Sequence, residues 1–592
     1  MCDGEETSLV ENRFQWSDDK NVCTPILSYV DVQKLKCFRP PWHDRILALS
    51  NTSSSCYSGQ DLQCRRAHPD LLKQRRERKD VPKTLFCHDL RGGYREDRFV
   101  NGSPKHEEYR FFHWAGIDTF IYFSHQLVTI PPPVWVNSAH LHGTKVLGTL
   151  ITEWDDGKKV WDEILKSDGA VEDFVDNLVA VCCHFGFDGY LLNVENTIPP
   201  EHVSRLEWFV QLIHHKLHDK IPHAEVIWYD SVTEKGELKW QDELNSLNRT
   251  FFDNCDGIFL NYTWKEENLK TSAENAGSRH LDVYVGVDVF GRNCYGGGGF
   301  NSCQAVELAR KYSLSVALFA PSWVHEYLGS PHFVHLEYAF WQKLWPYLYV
   351  HGPTQLPFST TFCQGYGEKL YHNGQVVSDA PWYNLSKQQY QPSVPSCLED
   401  KFVEPILKAR KEEGSTNSVK EDVLQLITTG CIQHCSLDAF TGGGCLQISR
   451  SCSGNKSQRI LICSFSADGQ ILVSVATKAP SKGNPNLNVL LVTEDSKGSC
   501  SKWLLMGQGA GNSDDDRKHV FPLTQKQIEK LKHRVESDLF DSLSPSIGSG
   551  WKLSHHLLDL QETIVEIGVE LCEPGNSILL GLLRILPLTA QE

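Results

Sequence analysis

Between about residue 84 and residue 320 the chain repeats one pattern: a short apolar run rich in β-branched residues, then an amphipathic stretch. The runs are Thr84 to Cys87, Thr119 to Phe123, Val146 to Ile151, Tyr190 to Val194, Val226 to Tyr229, Ile258 to Tyr262, Val283 to Val287 and Val316 to Ala320. Each reads as a strand. Val171, Phe174, Val175, Leu178, Val179 and Cys182 recur at helical spacing between the third and fourth runs, and Val203, Leu206, Val210, Ile213 and Leu217 do so between the fourth and fifth. Eight strands with helical crossovers predict an α/β fold, a (β/α)8 TIM barrel. A doubly wound open sheet would alternate similarly, but no Gly-rich nucleotide turn follows the first run.

A chain of 592 residues exceeds what one hydrophobic core organises, so further domains are expected. The barrel is assigned to 81–400 and a linker to 401–421, where the polar segment Lys408 to Lys420 has no apolar periodicity. Cys445 to Ile448, Ile460 to Phe465, Ile471 to Val475 and Val489 to Val492 predict that 422–592 is an all-β sandwich, jelly-roll-like and carbohydrate-binding-like in character. Residues 1–80 are read as an extension packed on the barrel.

The formal charge of −16 disfavours a nucleic-acid partner, which would draw affinity from clustered Lys and Arg. There is no apolar run long enough to span a membrane, and the acidic amino terminus lacks the basic and apolar regions of a signal peptide. A cytosolic location is expected, with the 20 cysteines reduced. Without a C-x-x-C pair, and with no third ligand evident for His214-His215 or His140-Leu141-His142, neither metal nor cofactor is expected. A monomer is expected.

The chemistry concentrates in the fourth run, Phe187-Asp188-Gly189-Tyr190-Leu191-Leu192-Asn193-Val194-Glu195-Asn196. Residues two apart in a strand share a face, so Asn193 and Glu195 project together at the strand's C-terminal end, where barrel enzymes place their active sites. Desolvation there raises a carboxyl pKa, which suits a general acid. A retaining glycosidase ordinarily adds a nucleophilic carboxylate about 5 to 5.5 Å away. Here the neighbouring inward residue is an amide, which cannot attack a sugar but can orient a substrate's 2-acetamido group to do so. The alternative is that both are solvated loop-edge residues. Asp188 lies at the strand's start with the wrong parity for Glu195 and is assigned a structural role.

The run Asp188 to Asn196 closely resembles the signature of glycoside hydrolase family 85, the endo-β-N-acetylglucosaminidases. Asp89 to Tyr94, Tyr122 to His125, Leu147 to Trp154, Trp228 to Val232, Leu238 to Asn245, Val283 to Phe290 and Leu318 to Trp323 resemble its other blocks. The resemblance implies that Glu195 is the general acid/base, that Asn193 orients the acetamide and that Tyr229 assists. It also implies cleavage of the β-1,4 bond in the N,N′-diacetylchitobiose core of N-glycans on glycoproteins and of free oligosaccharides. The competing reading is a non-catalytic glycan-binding protein on the same barrel. A chitinase-type hydrolase ranks lower, because its signature carries Asp where Asn193 stands.

Twelve of the sixteen tryptophans lie between 85 and 395. Trp154, Trp240, Trp264 and Trp323, near predicted strand ends, are candidates to stack on sugar rings, against ordinary core packing. Asp288, ending the seventh strand, is a candidate for a sugar hydroxyl, against a structural hydrogen bond. Gly296 to Gly299 reads as a rim loop, and Trp161, Trp208 and Trp341 as core.

Overall fold

The structure is a computed structural model describing residues 22–34, 40, 42–58, 81–329, 333–393, 432–450, 457–479, 486–507, 516–531, 534, 547–548, 550–573 and 575–589. The assigned linker lies outside these residues.

All eight predicted strands form. They are β1 Thr84–His88, β2 Thr119–Tyr122, β3 Lys145–Glu153, β4 Gly189–Glu195, β5 Glu225–Tyr229, β6 Gly257–Leu260, β7 Val283–Asp288 and β8 Ser315–Phe319. Each pairs in parallel with its neighbour, and β8 pairs with β1, closing the barrel. The two-residue repeat divides the side chains. Leu85, Ile121, Leu147, Leu191, Ile227, Phe259 and Ala317 fill the interior, whereas Phe86, Phe120, Val146, Leu192, Trp228 and Leu318 join a separate core beneath the helices.

The outer layer comprises α1 Pro133–Leu141, α2 Trp154–Ile164, α3 Asp168–Phe185, α4 Val203–Lys220, α5 Arg249–Asp253, α6 Glu266–Ala276, α7 Ser302–Lys311, α8 Trp323–Leu328 and α9 Phe333–Leu344. Helix α3 starts at Ser167, whose hydroxyl accepts from the Ala170 N–H, and stops at Gly186, which adopts φ 70°. The first crossover departs from the regular pattern. No α-helix joins β1 to β2; two 3-10 turns and an aromatic loop do so instead. In that loop Phe111 meets Phe86 at 4.5 Å between ring centroids and Trp114 at 4.8 Å, burying the surface a helix would have covered.

Of the amino-terminal segment, Val22 and Ile26 bridge to Phe99 and Val128, and Thr52–Ser58 pairs antiparallel with Tyr349–Pro353. The second domain is a sandwich of two sheets. One has the order β9 (Ile432–Cys435), β10 (Cys445–Ser449), β18 (Ser577–Pro587), β12 (Gly469–Lys478), β16 (Trp551–Leu560). The other has the order β11 (Ser457–Ser466), β17 (Thr563–Leu571), β13 (Leu487–Glu494), β14 (Cys500–Leu505), β15 (Lys518–Val520). The stretch 358–390 contributes to both cores: Phe358–Thr360 pairs with β18 and Phe358, Phe362 and Tyr390 join the sandwich core, while Tyr366, Tyr383 and Leu385 join the barrel core.

Candidate active site

Asn193 and Glu195 share the parity of Leu191, which lies inside the barrel, and stand beside Ile151 and Glu153 of β3. Both therefore face the interior at the C-terminal mouth. The backbone between them is tied down: the Ser231 hydroxyl donates to the Val194 carbonyl at 2.7 Å. Asn193 is 3% exposed, and its Oδ1 has no hydrogen-bond partner. A buried acceptor left unpaired costs about 1–3 kcal/mol, so this oxygen is available to a donor that enters the mouth.

Glu195 is half-buried. Burial raises its pKa above the ordinary glutamate value, the Asn193 hydrogen bond opposes this, the Glu153 charge adds to it and His125 subtracts. Glu153 and His125 were not singled out in the sequence. His125 Nδ1 lies 3.2 Å from Glu153 Oε2, and this hydrogen bond raises the histidine's pKa. Applying the parity rule to β3 would have found Glu153, which occupies the position next to Glu195.

Tyr229, at the end of β5, also lies inside the barrel, and Glu195 contributes to raising its pKa after burial. Its hydroxyl donates to Asn261 Oδ1 at 3.0 Å, and Asn261 Nδ2 donates to Asp242 Oδ1 at 2.7 Å. Asp242 belongs to the loop after β5, which the buried Asp230 organises. Its carboxylate accepts from the backbone N–H groups of Gln241 and Asp242 and from Asn248 Nδ2. Burial outweighs these donors and pushes Asp230 up to about 7. The same loop carries Trp240, which packs half-buried against the interior cluster.

The other candidates separate. Trp154 is 64% exposed at the start of α2, with φ 50°. Trp264 is 3% exposed, its indole N–H donates to the Gly286 carbonyl at 2.7 Å, and it stacks on Tyr295. It is a packing residue. Trp323 is 7% exposed, wedged edge-on against Phe300 and stacked on the exposed Tyr327, which offers the free ring face instead. Asp288 is fully buried and accepts from Arg292 Nε at 2.8 Å, Arg292 Nη2 at 3.0 Å and the backbone N–H groups of Phe290 and Arg292. Its oxygens are engaged in folding the loop after β7. Within that loop Gly296 to Gly299 all adopt positive φ, and the Gly299 N–H donates to the Val289 carbonyl.

Asp188 sits at the opposite end of β4. It accepts from His140 Nε2 at 2.7 Å, His223 Nε2 at 3.0 Å and the Val146 N–H at 2.7 Å. Burial works against its charge, but these donors hold its pKa at about 2. Its role is structural.

Residues 93–370 match the family model described as Glycosyl hydrolase family 85. The match spans most of the barrel. The cytosolic endo-beta-N-acetylglucosaminidase of Gallus gallus is 46% identical over 329 residues, 54% of this chain and 45% of that protein. Its Homo sapiens counterpart is 44% identical over 377 residues, 63% of this chain and 48% of that protein. Cytosolic endo-beta-N-acetylglucosaminidase 2 of Arabidopsis thaliana is 46% identical over 314 residues, 52% of this chain and 45% of that protein. The chain thus spans about half the length of these relatives. The glycoside hydrolase domain of Endo-D from Streptococcus pneumoniae R6 superposes with a TM-score of 0.65 at 18% identity, covering 96% of this chain and 83% of that one, and so shares its fold.

Proposed function

We propose that the chain is an endo-β-N-acetylglucosaminidase. It hydrolyses the β-1,4 bond between the two core GlcNAc residues of N-glycans and free oligosaccharides, and works, like its relatives by name, in the cytosol. The observation that carries this reading is the unpartnered Asn193 Oδ1 beside Glu195. A 2-acetamido group has one N–H to donate, and Asn193 Oδ1 is an acceptor that no protein group engages. That hydrogen bond turns the acetamide so that its carbonyl oxygen faces the anomeric carbon.

Glu195, whose pKa burial and the Glu153 charge raise, gives its proton to the leaving oxygen as the acetamide carbonyl attacks and closes an oxazoline. The Glu195 carboxylate then takes a proton from water, which opens the oxazoline with net retention. In this reading Tyr229 assists: its hydroxyl, which donates to Asn261 Oδ1 in the unliganded chain, turns to the acetamide oxygen as charge develops there. A lectin on this scaffold would gain nothing from an acid of raised pKa beside such an amide.

The test is incubation with a Man9GlcNAc2-asparagine substrate and mass analysis of both products. The reading requires an oligosaccharide ending in one GlcNAc and a GlcNAc-asparagine remnant, with Glu195→Gln inactive. Intact substrate with the native chain, or full activity in Glu195→Gln, would refute it.

A further inference from the structure

At the opposite end of the barrel from Glu195, three side chains converge without any role in the reaction. His214 and His218 are one turn apart on α4, and both turn Nε2 toward Asp256, which immediately precedes β6. His214 Nε2 is 3.2 Å from Asp256 Oδ1 and His218 Nε2 is 3.0 Å from Oδ2, with the imidazole centroids 4.5 Å apart. One ligand atom from each residue lies within 4.8 Å of the others, the one such group of three or more His, Cys, Asp or Glu residues among the described residues. The sequence offered His214 no third ligand; the fold supplies one from 38 residues beyond His218.

We propose that His214, His218 and Asp256 form a binding site for a divalent transition metal of the zinc class. A four-coordinate zinc with bonds of about 2.0–2.2 Å sets its ligand atoms roughly 3.3 Å apart, close to the observed N···O separations. Two imidazoles and one carboxylate suit zinc and its borderline neighbours, whereas calcium and magnesium prefer all-oxygen shells. The carboxylate is already aimed, because Asp256 Oδ2 accepts from the Val226 N–H at 2.8 Å. Side-chain exposures of 35%, 30% and 25% leave the fourth position open to water. The metal would fasten the last two turns of α4 to the start of β6, bracing the closed end of the barrel; its distance from the mouth gives it no part in glycoside cleavage.

The competing account is a pair of His–Asp hydrogen bonds with no affinity for metal, and a titration separates the two. The EDTA-treated full chain is titrated calorimetrically with Zn2+, and Co2+ is followed by absorption, because thiolate ligation at any of the cysteines adds a sulfur charge-transfer band that N/O ligation lacks. One equivalent should bind without that band. His214→Gln and His218→Gln should each weaken it more than about tenfold. His215→Gln should not, because His215 is 73% exposed and faces Asp219. The melting temperature should rise with Zn2+ in the native chain and not in His214→Gln. Absence of this equivalent, a thiolate band on it, or native affinity in both His214→Gln and His218→Gln would overturn the proposal.

Discussion

Asn193→Ala separates a substrate-facing amide from a structural one, because the two predict opposite combinations of stability and rate. In the unliganded chain Asn193 contributes two opposed quantities. Its hydrogen bond to Glu195 stabilises by about 1 kcal/mol, rising to about 3 if the carboxyl is charged, while the buried, unpartnered Oδ1 costs about 1–3 kcal/mol. Truncation removes both and leaves a cavity of a few tens of Å³, worth roughly 0.6 kcal/mol at most. The expected loss of unfolding free energy therefore lies between about −1 and 3 kcal/mol, measured by urea denaturation. Catalysis is expected to suffer far more. Removing a group that positions the developing charge costs about 10²–10³ in rate, or 2.7–4 kcal/mol. The assay is kcat/KM for release of a fluorescent glycan, alongside turnover of a preformed sugar oxazoline, which Asn193→Ala should still accept because the acetamide has already attacked. A fall in stability above 3 kcal/mol with kcat/KM within tenfold of native would refute the reasoning.

Protonated Glu195 is the active form, so hydrolysis should persist below its raised pKa and fall as pH rises through it; Glu153→Gln removes a contribution that raises this pKa, and the alkaline limb of the kcat/KM profile should move to lower pH. Part of the shift is offset because His125 also loses the partner that raises its pKa. Glu337 is fully buried with Oε2 unpaired, and burial drives its carboxyl up to about 8. Its folded pKa exceeds its unfolded one, so it contributes stability at low pH that is lost between about 4.5 and 8, by a few kcal/mol; Glu337→Gln should flatten that part of the stability–pH curve measured by chemical denaturation. Gly189 adopts φ 141°, and a Cβ there would stand 1.9 Å from the Glu225 carbonyl oxygen. Gly189→Ala should therefore push β4 from β5, lower the melting temperature and reduce activity together.

What could be read from the chain was whatever depends on near neighbours. Strand parity is such a property, and it placed Asn193, Glu195 and Asp188 on their sides and ends of β4 before any tertiary contact was known. Trp161 and Trp341, assigned to the core from helical spacing, are 1% and 0% exposed. What required the fold was anything set by a second strand or a covering loop. Glu153 stands beside Glu195 through the register of β3 against β4, and Asn261 reaches Tyr229 across β5 and β6. Trp264, Trp323 and Asp288 occupy strand ends and the loops after them as expected, but their own loops fold over them and engage their polar atoms or ring faces. The aromatic loop in place of a first crossover helix lacks any periodicity to betray it. Phe358–Thr360 is too short a strand to identify its sheet without its partner in β18.

The most direct test of the central claim changes the substrate and leaves the protein untouched. Hydrolysis rates are compared for two chitobiose-core glycans that differ only at C2 of the sugar on the non-reducing side of the scissile bond, one carrying the acetamido group and the other a hydroxyl. If that acetamide supplies the nucleophile, held by Asn193 and matched by the proton from Glu195, the hydroxyl compound should remain uncut. Cleavage of both at similar rates would contradict the account.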